Sequence, residues 1–212
     1  MKQFLAVMTL SLVSISAFGL AADPANEEGF VKIFDGKTLN GWKVGEHPES
    51  WTLKDGEIIG KGQRSHLFYV AQNDKPFVNF ELRADVKTEP KANGGIYFHT
   101  KYQDEGWPKY GFEAQVNNSH GDHKRTGSLY DVVNVLDKNV PDDEWYTETV
   151  IVKGKQITIK INDKVVVDYT EPADKKAGED FTRKIDQGTF ALQAHDPGSV
   201  VHFKNIRVKR LD

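Results

Sequence analysis

Four segments of the sequence place polar side chains at every second position, opposite a set of apolar ones. The segments are residues 95–99, 112–116, 128–130 and 190–195. Their polar positions hold one carboxylate together with amides, imidazoles and phenols: Tyr97, His99, Glu113, Gln115, Tyr130, Gln193 and His195. A solvated face would be richer in Lys, Glu and Thr. These groups instead bind polyhydroxylated ligands and transfer protons, and they are the candidate functional residues.

Glu113 and the two histidines are the candidates for acid–base chemistry. Glu113 is the only acid on its polar face, and it suits a general base, a general acid or an acceptor for a sugar hydroxyl. The simpler alternative is a carboxylate paired with a neighbouring Arg or Lys. Imidazole titrates near neutrality, so His99 or His195 could move a proton on the same face. Two histidines beside a glutamate and two glutamines favour a site.

Residues in the adjoining loops predict how a ligand is held. Trp107 lies in a loop beside the Glu113 segment, where an aromatic ring can border a cleft. Lys124 or Arg125 is expected to anchor a ligand oxygen or Glu113 itself. The same loop contains three candidate ligands for a divalent metal, which are His120, Asp122 and His123. Their spacing offers no regular third ligand, so a solvated loop is the simpler interpretation and no cofactor is certain.

Strands must position these residues, because strand signals dominate the chain. Phe80, Leu82, Ala84 and Val86 alternate with charged residues, which predicts a half-buried strand. The other predicted strands are short and closely spaced, at residues 51–54, 57–59, 150–152, 157–161, 165–167 and 200–208. Residues 71–76 and 172–183 are predicted to be surface loops. This pattern predicts an all-β, two-sheet antiparallel sandwich or jelly roll, with the polar positions on its concave face.

The first 21 residues have the pattern of a secretory signal peptide. Lys2 precedes an apolar stretch, residues 4–20, and Gly19-Leu20-Ala21 offers a small-x-small cleavage site. We therefore expect export to the periplasm or the extracellular space, with no membrane attachment after cleavage. Residues 22–212, about 190 in number, suit a single catalytic domain.

Composition excludes several classes of protein. The formal net charge of −3 argues against a nucleic-acid partner, because such proteins usually carry a basic patch. The chain has no Cys, which removes thiol chemistry, disulfides and Cys-ligated metals. A carbohydrate is the partner that the polar face favours.

Taken in order, the motifs of the chain resemble a known family. They lie at residues 33–42, 93–98, 111–116, 125–131, 143–146, 191–195 and 201–206. Together they cover nearly all of the chain after residue 21 and resemble the 3-keto-disaccharide hydrolase domain family. One position departs from the pattern, because His99 stands where such proteins often carry Arg after the Gly-Gly-Ile-aromatic-Phe run.

The resemblance implies a concanavalin-like jelly roll and an enzyme, a glycoside hydrolase or lyase, that cleaves glycosides already oxidised at C3. The C3 ketone acidifies the C2 proton, so a base can form an enolate, and the C1 substituent then leaves by elimination. Water adds back, or the unsaturated sugar is released. For this chemistry our candidate base is His195 or Glu113, the candidate acid is His99, and the candidate donors to the enolate are Gln115, Gln193 and Tyr130. The predicted binding residues are Tyr97, Gln115, Trp107, Arg125, Tyr130 and Gln193.

Two other functions fit the same residues. A non-catalytic, lectin-like module would use the same amides and aromatics, because a fold does not determine function. A two-carboxylate glycosidase is the less favoured alternative. Jelly-roll glucanases resemble the pattern Glu-x-Asp-x-x-Glu, and the matching positions here are Glu113, Gln115 and Asn118, so two of three carboxylates are missing.

Overall fold

The computed structural model describes residues 27–211, so the expected signal peptide lies outside the described residues. The described part is built from strands, with a single 3-10 turn at Pro48–Ser50. In chain order the strands are β1 (Val31–Lys32), β2 (Trp42–Val44), β3 (Trp51–Lys54), β4 (Glu57–Lys61), β5 (Ser65–Tyr69), β6 (Phe80–Thr88), β7 (Gly94–Thr100), β8 (Phe112–Val116), β9 (Tyr146–Lys153), β10 (Gln156–Ile161), β11 (Lys164–Thr170), β12 (Thr189–Ala194) and β13 (Val200–Arg210). Between residues 27 and 211 no helix is long and apolar enough to cross a membrane.

The strands form two antiparallel sheets. The eight-stranded sheet has the order β11-β10-β9-β6-β13-β4-β3, with β1 added against β13. The five-stranded sheet has the order β2-β5-β12-β7-β8. The predicted all-β, two-sheet antiparallel sandwich is therefore confirmed. Strand β13 lies in the middle of the larger sheet, between β4 and β6.

The core lies between the two sheets and follows the predicted alternation. Phe80, Ala84 and Val86 of β6 are fully buried. The Phe80 ring meets the Phe98 and Phe190 rings of the five-stranded sheet at centroid distances of 6.1 and 4.9 Å. Each buried aromatic of this kind stabilises the fold by about 1.5–3 kcal/mol relative to an exposed one.

The opposite, outward side of the five-stranded sheet carries the polar residues, and cross-strand register aligns them in two rows. One row runs His66, Gln193, Gly95 and Gln115 across β5, β12, β7 and β8. The next row runs Phe68, Ala191, Tyr97 and Glu113 across the same strands. We call His66, Tyr97, Glu113, Gln115 and Gln193 the polar face.

One predicted strand is a loop instead. Residues 128–130 form no strand, and Leu129 makes only isolated bridges, to Ala114 and Val133. Positive φ angles of 82° at Gly127 and 58° at Asp131 break the extended backbone on both sides. The segment still covers the edge of β8, because the Tyr130 N–H donates to the Glu113 carbonyl at 3.0 Å. The predicted loops at residues 71–76 and 172–183 contain no strand or helix.

Candidate active site

A cavity of about 280 Å³ opens on the polar face, close to the lower end of the size range of small-ligand sites. Fourteen residues line it: Asn93, Tyr97, Trp107, Pro108, Gly111, Phe112, Glu113, Gln115, Tyr130, Asp131, Phe181, Arg183, Gln193 and His195. Among them are Glu113, His195 and five of the six binding residues that the sequence predicts. The structure therefore brings most of the predicted site together.

The Glu113 carboxyl is held by two neighbours on the polar face. The Tyr97 hydroxyl donates to Glu113 Oε2 at 2.9 Å, and Gln193 Nε2 donates to Glu113 Oε1 at 3.3 Å. Gln193 Nε2 also donates to the Tyr97 oxygen at 3.0 Å. Because Tyr97 gives its only proton to the carboxylate, its oxygen must accept from Gln193, which defines the amide orientation. Both amide hydrogens of Gln193 are thus used to position Glu113.

The environment of Glu113 changes its acidity. Burial raises its pKa to about 8, although the hydrogen bonds from Tyr97 and Gln193 and the positive Arg183 act in the opposite direction. A carboxyl with this pKa exchanges protons near neutrality, which is the property of a general acid or base. Glu113 forms no ion pair with any residue of the described chain.

Gly95 makes room for this carboxyl. It lies beside Gln193 on one side and Gln115 on the other. A Cβ atom at Gly95 would collide with the Glu113 carboxylate, so the Glu113 side chain rests over the bare backbone of β7. The glycine is a steric requirement of the site.

His195 lies just after β12 at the side of the cavity. Its Nδ1 is 2.8 Å from Asp196 Oδ2. Its ring lies 5.3 Å from the Trp107 ring and 5.7 Å from the His120 ring. Trp107 also meets the buried His66 ring edge-on at 5.6 Å, so it forms an aromatic wall as the sequence predicts. Sequence reasoning missed both His66 and Asp196.

Tyr130, Asp131 and Arg183 form another wall of the cavity, and Lys124 lies against Tyr130 and Asp131. Lys124 Nζ lies 3.8 Å from the centre of the Tyr130 ring and forms an ion pair with Asp131. Arg183 Nη2 also binds Asp131, at 2.8 Å. Asp131 is therefore neutralised by two cations and is not a second free carboxylate in the cavity. Arg183 comes from the loop that the sequence predicts to be a plain surface loop, and no local signal marked it.

His99 is not on the polar face, which corrects the sequence prediction. Between paired positions, β7 advances from Phe98 to Thr100 while β12 advances by one residue, so His99 is the extra residue of a β-bulge. Its φ is 54°, and the bulge turns its ring into the core, 5.5 Å from the Phe80 ring. Its Nε2 is 2.9 Å from the Val78 carbonyl oxygen, and burial lowers its pKa. His99 has no access to the cavity.

Arg125 also differs from the prediction, because it does not line the cavity. Its Nη1 donates to the Asn117 side-chain oxygen at 3.1 Å and to the His120 and Asp122 carbonyls at 2.8 and 2.9 Å. Arg125 braces the loop after β8 and does not bind Glu113. Arg183 lines the cavity instead of Arg125.

The candidate metal ligands do not converge. The His123 side chain is 74% exposed, and His120 Nδ1 accepts the Asp122 backbone N–H at 3.0 Å. Nowhere in residues 27–211 do three or more His, Asp or Glu side chains gather in a way that could hold a metal ion.

The family match and the curated relative described next show that this β-sandwich is a carbohydrate-active enzyme of the glycoside hydrolase or lyase class. Residues 29–209 match the 3-keto-alpha-glucoside-1,2-lyase-like domain, and the chain belongs to that family. It is 27% identical to the 3-keto-disaccharide hydrolase of Bacteroides thetaiotaomicron, over 89% of this chain and 81% of that protein.

Two solved structures share the fold. The crystal structure of a proposed glycosyl hydrolase from Parabacteroides distasonis has a TM-score of 0.74 at 24% identity, over 87% of this chain and 95% of that one. The carbohydrate binding module CBM66 from Bacillus subtilis has a TM-score of 0.56 at 15% identity, over 80% of this chain and 95% of that one. At these identities the likeness is one of fold alone.

Proposed function

We propose that the protein cleaves glycosides that carry a ketone at C3, by removing the C2 proton and expelling the C1 substituent. The observation that carries the proposal is the composition of the cavity, which holds one carboxyl without an ion pair, Glu113, together with one histidine, His195. The family, and the activity named for the Bacteroides relative, support the substrate class. A single acid suffices because the ketone itself acidifies the C2 proton.

The two titratable groups take different steps in this proposal. His195 Nε2 accepts the C2 proton, and the C–H electrons move toward the C3 oxygen to form an enolate. The enolate then re-forms the ketone with a C1–C2 double bond, and the C1–O bond breaks. Glu113, which is largely neutral below pH about 8, gives its proton to the departing oxygen. Water added across the double bond would complete hydrolysis, and without it the reaction is that of a lyase.

The amides of the cavity support a hydroxyl-rich ligand. Asn93, Gln115 and Gln193 are buried, and each keeps one side-chain oxygen without a hydrogen-bond partner in the described structure. Such groups each cost about 1–3 kcal/mol unless they are paired. A sugar supplies hydroxyl donors for them. Gln115 is also the amide available to stabilise the enolate oxygen, because Gln193 has used both hydrogens on Glu113 and Tyr97.

The arrangement disfavours a two-carboxylate glycosidase. That mechanism needs a second carboxyl at a defined distance across the sugar from the first. Asn118 occupies the third position of the glucanase-like pattern, and its amide donates to Thr88 Oγ1 at 2.7 Å and to the Pro141 carbonyl at 2.8 Å. It is buried outside the cavity, and Asp131 is held by Lys124 and Arg183.

Parallel incubations with a 3-keto-glucoside and with its unoxidised parent test the proposal. We expect release of the C1 substituent from the keto sugar alone, with deuterium incorporated at C2 in D₂O. Comparable cleavage of the parent would overturn the elimination mechanism. Tight binding of the keto sugar without cleavage or exchange would instead make the protein a binding module. A matched incubation with EDTA tests for a divalent metal.

We also propose that the enzyme acts after export to the periplasm or the extracellular space. The support is the charged and apolar pattern of residues 2–20, the Gly19-Leu20-Ala21 site and the absence of Cys. Expression of the full chain in a host with a secretory pathway, followed by N-terminal sequencing, is expected to give a mature protein that starts at Ala22. A cytoplasmic protein that retains residues 1–21 would contradict export.

A further inference from the structure

Asp196 lies directly after the cavity residue His195 and has an unusually complete set of donors. Its Oδ2 accepts the Ser199 hydroxyl at 2.8 Å and faces His195 Nδ1 at 2.8 Å. Its Oδ1 accepts the Gly198 backbone N–H at 2.8 Å. Burial opposes ionisation, but the bonds from Ser199, His195 and Gly198 outweigh it and hold the Asp196 pKa below its usual value. The carboxylate is therefore ionised and fixed in orientation.

We propose that Asp196 is a positioning residue that fixes the tautomer of His195 and leaves its Nε2 free to accept a proton in the cavity. An ionised carboxylate can only accept hydrogen bonds, so His195 Nδ1 must carry the hydrogen. In the neutral ring the lone pair then lies on Nε2. The use of this lone pair on the C2 proton rests on the proposed function, whereas the tautomer itself follows from the contacts alone.

The neighbouring His120 ring has the opposite tautomer, which makes it an internal reference. His120 Nδ1 accepts the Asp122 backbone N–H at 3.0 Å, and the Asn93 amide nitrogen is 3.5 Å from the same atom. A nitrogen that accepts an N–H has no hydrogen of its own, so His120 Nε2 carries it. Two imidazoles 5.7 Å apart thus differ in which nitrogen is protonated.

The donors around Asp196 also predict what an amide would do there. In Asp196→Asn, the Gly198 N–H still needs an acceptor, so the amide oxygen keeps the place of Oδ1. The amide nitrogen then takes the place of Oδ2 and donates to His195 Nδ1. The His195 hydrogen then moves to Nε2, which can no longer accept a proton. The same change of tautomer follows when the Asp of the serine-protease triad is replaced by Asn.

The test uses the full protein labelled with ¹⁵N-histidine, at about pH 9, where free imidazole is neutral. We expect a protonated Nδ1 and a bare Nε2 in His195 and the reverse in His120, with signals assigned from His195→Ala and His120→Ala. Asp196→Asn is expected to reverse the tautomer of His195 and to leave that of His120 unchanged. It should also slow C2 deuterium exchange of a 3-keto-glucoside by about 10²- to 10⁴-fold, the usual contribution of a general base.

Ser199→Ala is the matched control, because it removes one donor to Asp196 but leaves the carboxylate. It should keep the His195 tautomer and slow exchange much less than Asp196→Asn does. A bare Nδ1 in wild-type His195, or an Asp196→Asn protein with unchanged tautomer and exchange rate, would overturn the inference. If the tautomers are as expected but the wild type exchanges no 3-keto sugar, the role of Asp196 stands and the proposed substrate falls.

Discussion

In both sheets the outward-facing polar side chains alternate along each strand with buried apolar ones. The polar groups of the eight-stranded sheet have charged partners within the protein, whereas several of those on the five-stranded sheet have none among the described residues. On the eight-stranded sheet, Arg83 pairs with Glu81 at 2.5 Å and with Glu27 at 2.7 Å. On the five-stranded sheet, Glu113 has no ion pair among the described residues, and the buried Gln115 and Gln193 each keep an unpaired oxygen. The two faces therefore share the alternation of polar and apolar residues and differ in whether their polar groups have partners in the protein.

This difference separates a structural face from a functional one. Exposed ion pairs contribute about 0–1 kcal/mol each and leave nothing for a ligand to satisfy. Buried oxygens without a protein partner are available to a ligand, whose hydrogen bonds to them stabilise the complex. The polar face is therefore suited to binding.

The largest expected effect is on turnover, through the Glu113 carboxyl. Glu113→Gln keeps the shape of the side chain and removes its proton, so turnover of a 3-keto-glucoside should fall by about 10²- to 10⁴-fold. Glu81→Gln, on the other sheet, is the matched control and should leave turnover unchanged. Initial rates together with circular dichroism check both variants. Equal rates for wild type and Glu113→Gln would assign Glu113 a structural role.

A smaller loss is expected from a methyl group at Gly95. The new Cβ displaces the Glu113 carboxylate, and a displacement of about 1 Å at a reacting group can cost 10²-fold in rate. Gly121→Ala is the control, because a Cβ there meets nothing within 4 Å. In the Glu113→Gln background, Gly95→Ala should have little further effect on rate. If the rate losses of the two substitutions multiply, Gly95 does not act through Glu113.

The pH dependence of stability should also distinguish Glu113. Its pKa is raised from 4.5 to about 8 on folding, so the folded state keeps a proton that the unfolded state has lost between these values. The wild type should therefore lose free energy of unfolding relative to Glu113→Gln as pH rises through this window, by at most about 1.4 kcal/mol per pH unit.

Urea unfolding of both proteins at several pH values measures this difference. The buried Glu148 is present in both proteins, and its pKa is raised by burial and by the charge of Glu113. The difference between the two proteins therefore reports the ionisation of Glu113 together with its repulsion of Glu148. Parallel stability curves from pH about 4.5 to 8 would mean that Glu113 ionises in the folded protein as an exposed carboxyl does.

The smallest effect should come from the ion pairs on the outward face of the eight-stranded sheet. Arg83→Ala removes the contacts to Glu81 and Glu27, and it should lower the free energy of unfolding by about 1 kcal/mol or less, with the loss shrinking at high salt. Turnover should not change. A clear loss of turnover in a folded Arg83→Ala protein would show that the outward face of the eight-stranded sheet also affects the site.

The sequence predicts correctly those parts of the molecule in which polar and apolar residues alternate strictly along a strand. The two sheets and the places of Tyr97, Glu113, Gln115 and Gln193 follow from a period of two along β7, β8 and β12. The prediction for His99 was wrong because one bulged residue at the end of a strand reverses the side on which a side chain falls.

The other missed residues depend on contacts distant in sequence. His66 joins the polar face through the pairing of β5 with β12, and Arg183 reaches Asp131 from a loop 52 residues away. Asp196 is adjacent to His195, but its importance comes from the turn that brings Gly198 and Ser199 to its carboxylate. Alternation alone contains none of this information.

The central place of β13 limits when the eight-stranded sheet can be completed. Strands β3 and β4 join the rest of the eight-stranded sheet only through β13, whose residues follow β4 by about 140 positions. At about 5–20 residues per second, the ribosome needs on the order of ten seconds to cover that distance. Until β13 is available, β3 and β4 can pair only with each other in this sheet, so their outer edges stay unpaired and open to pairing with other chains.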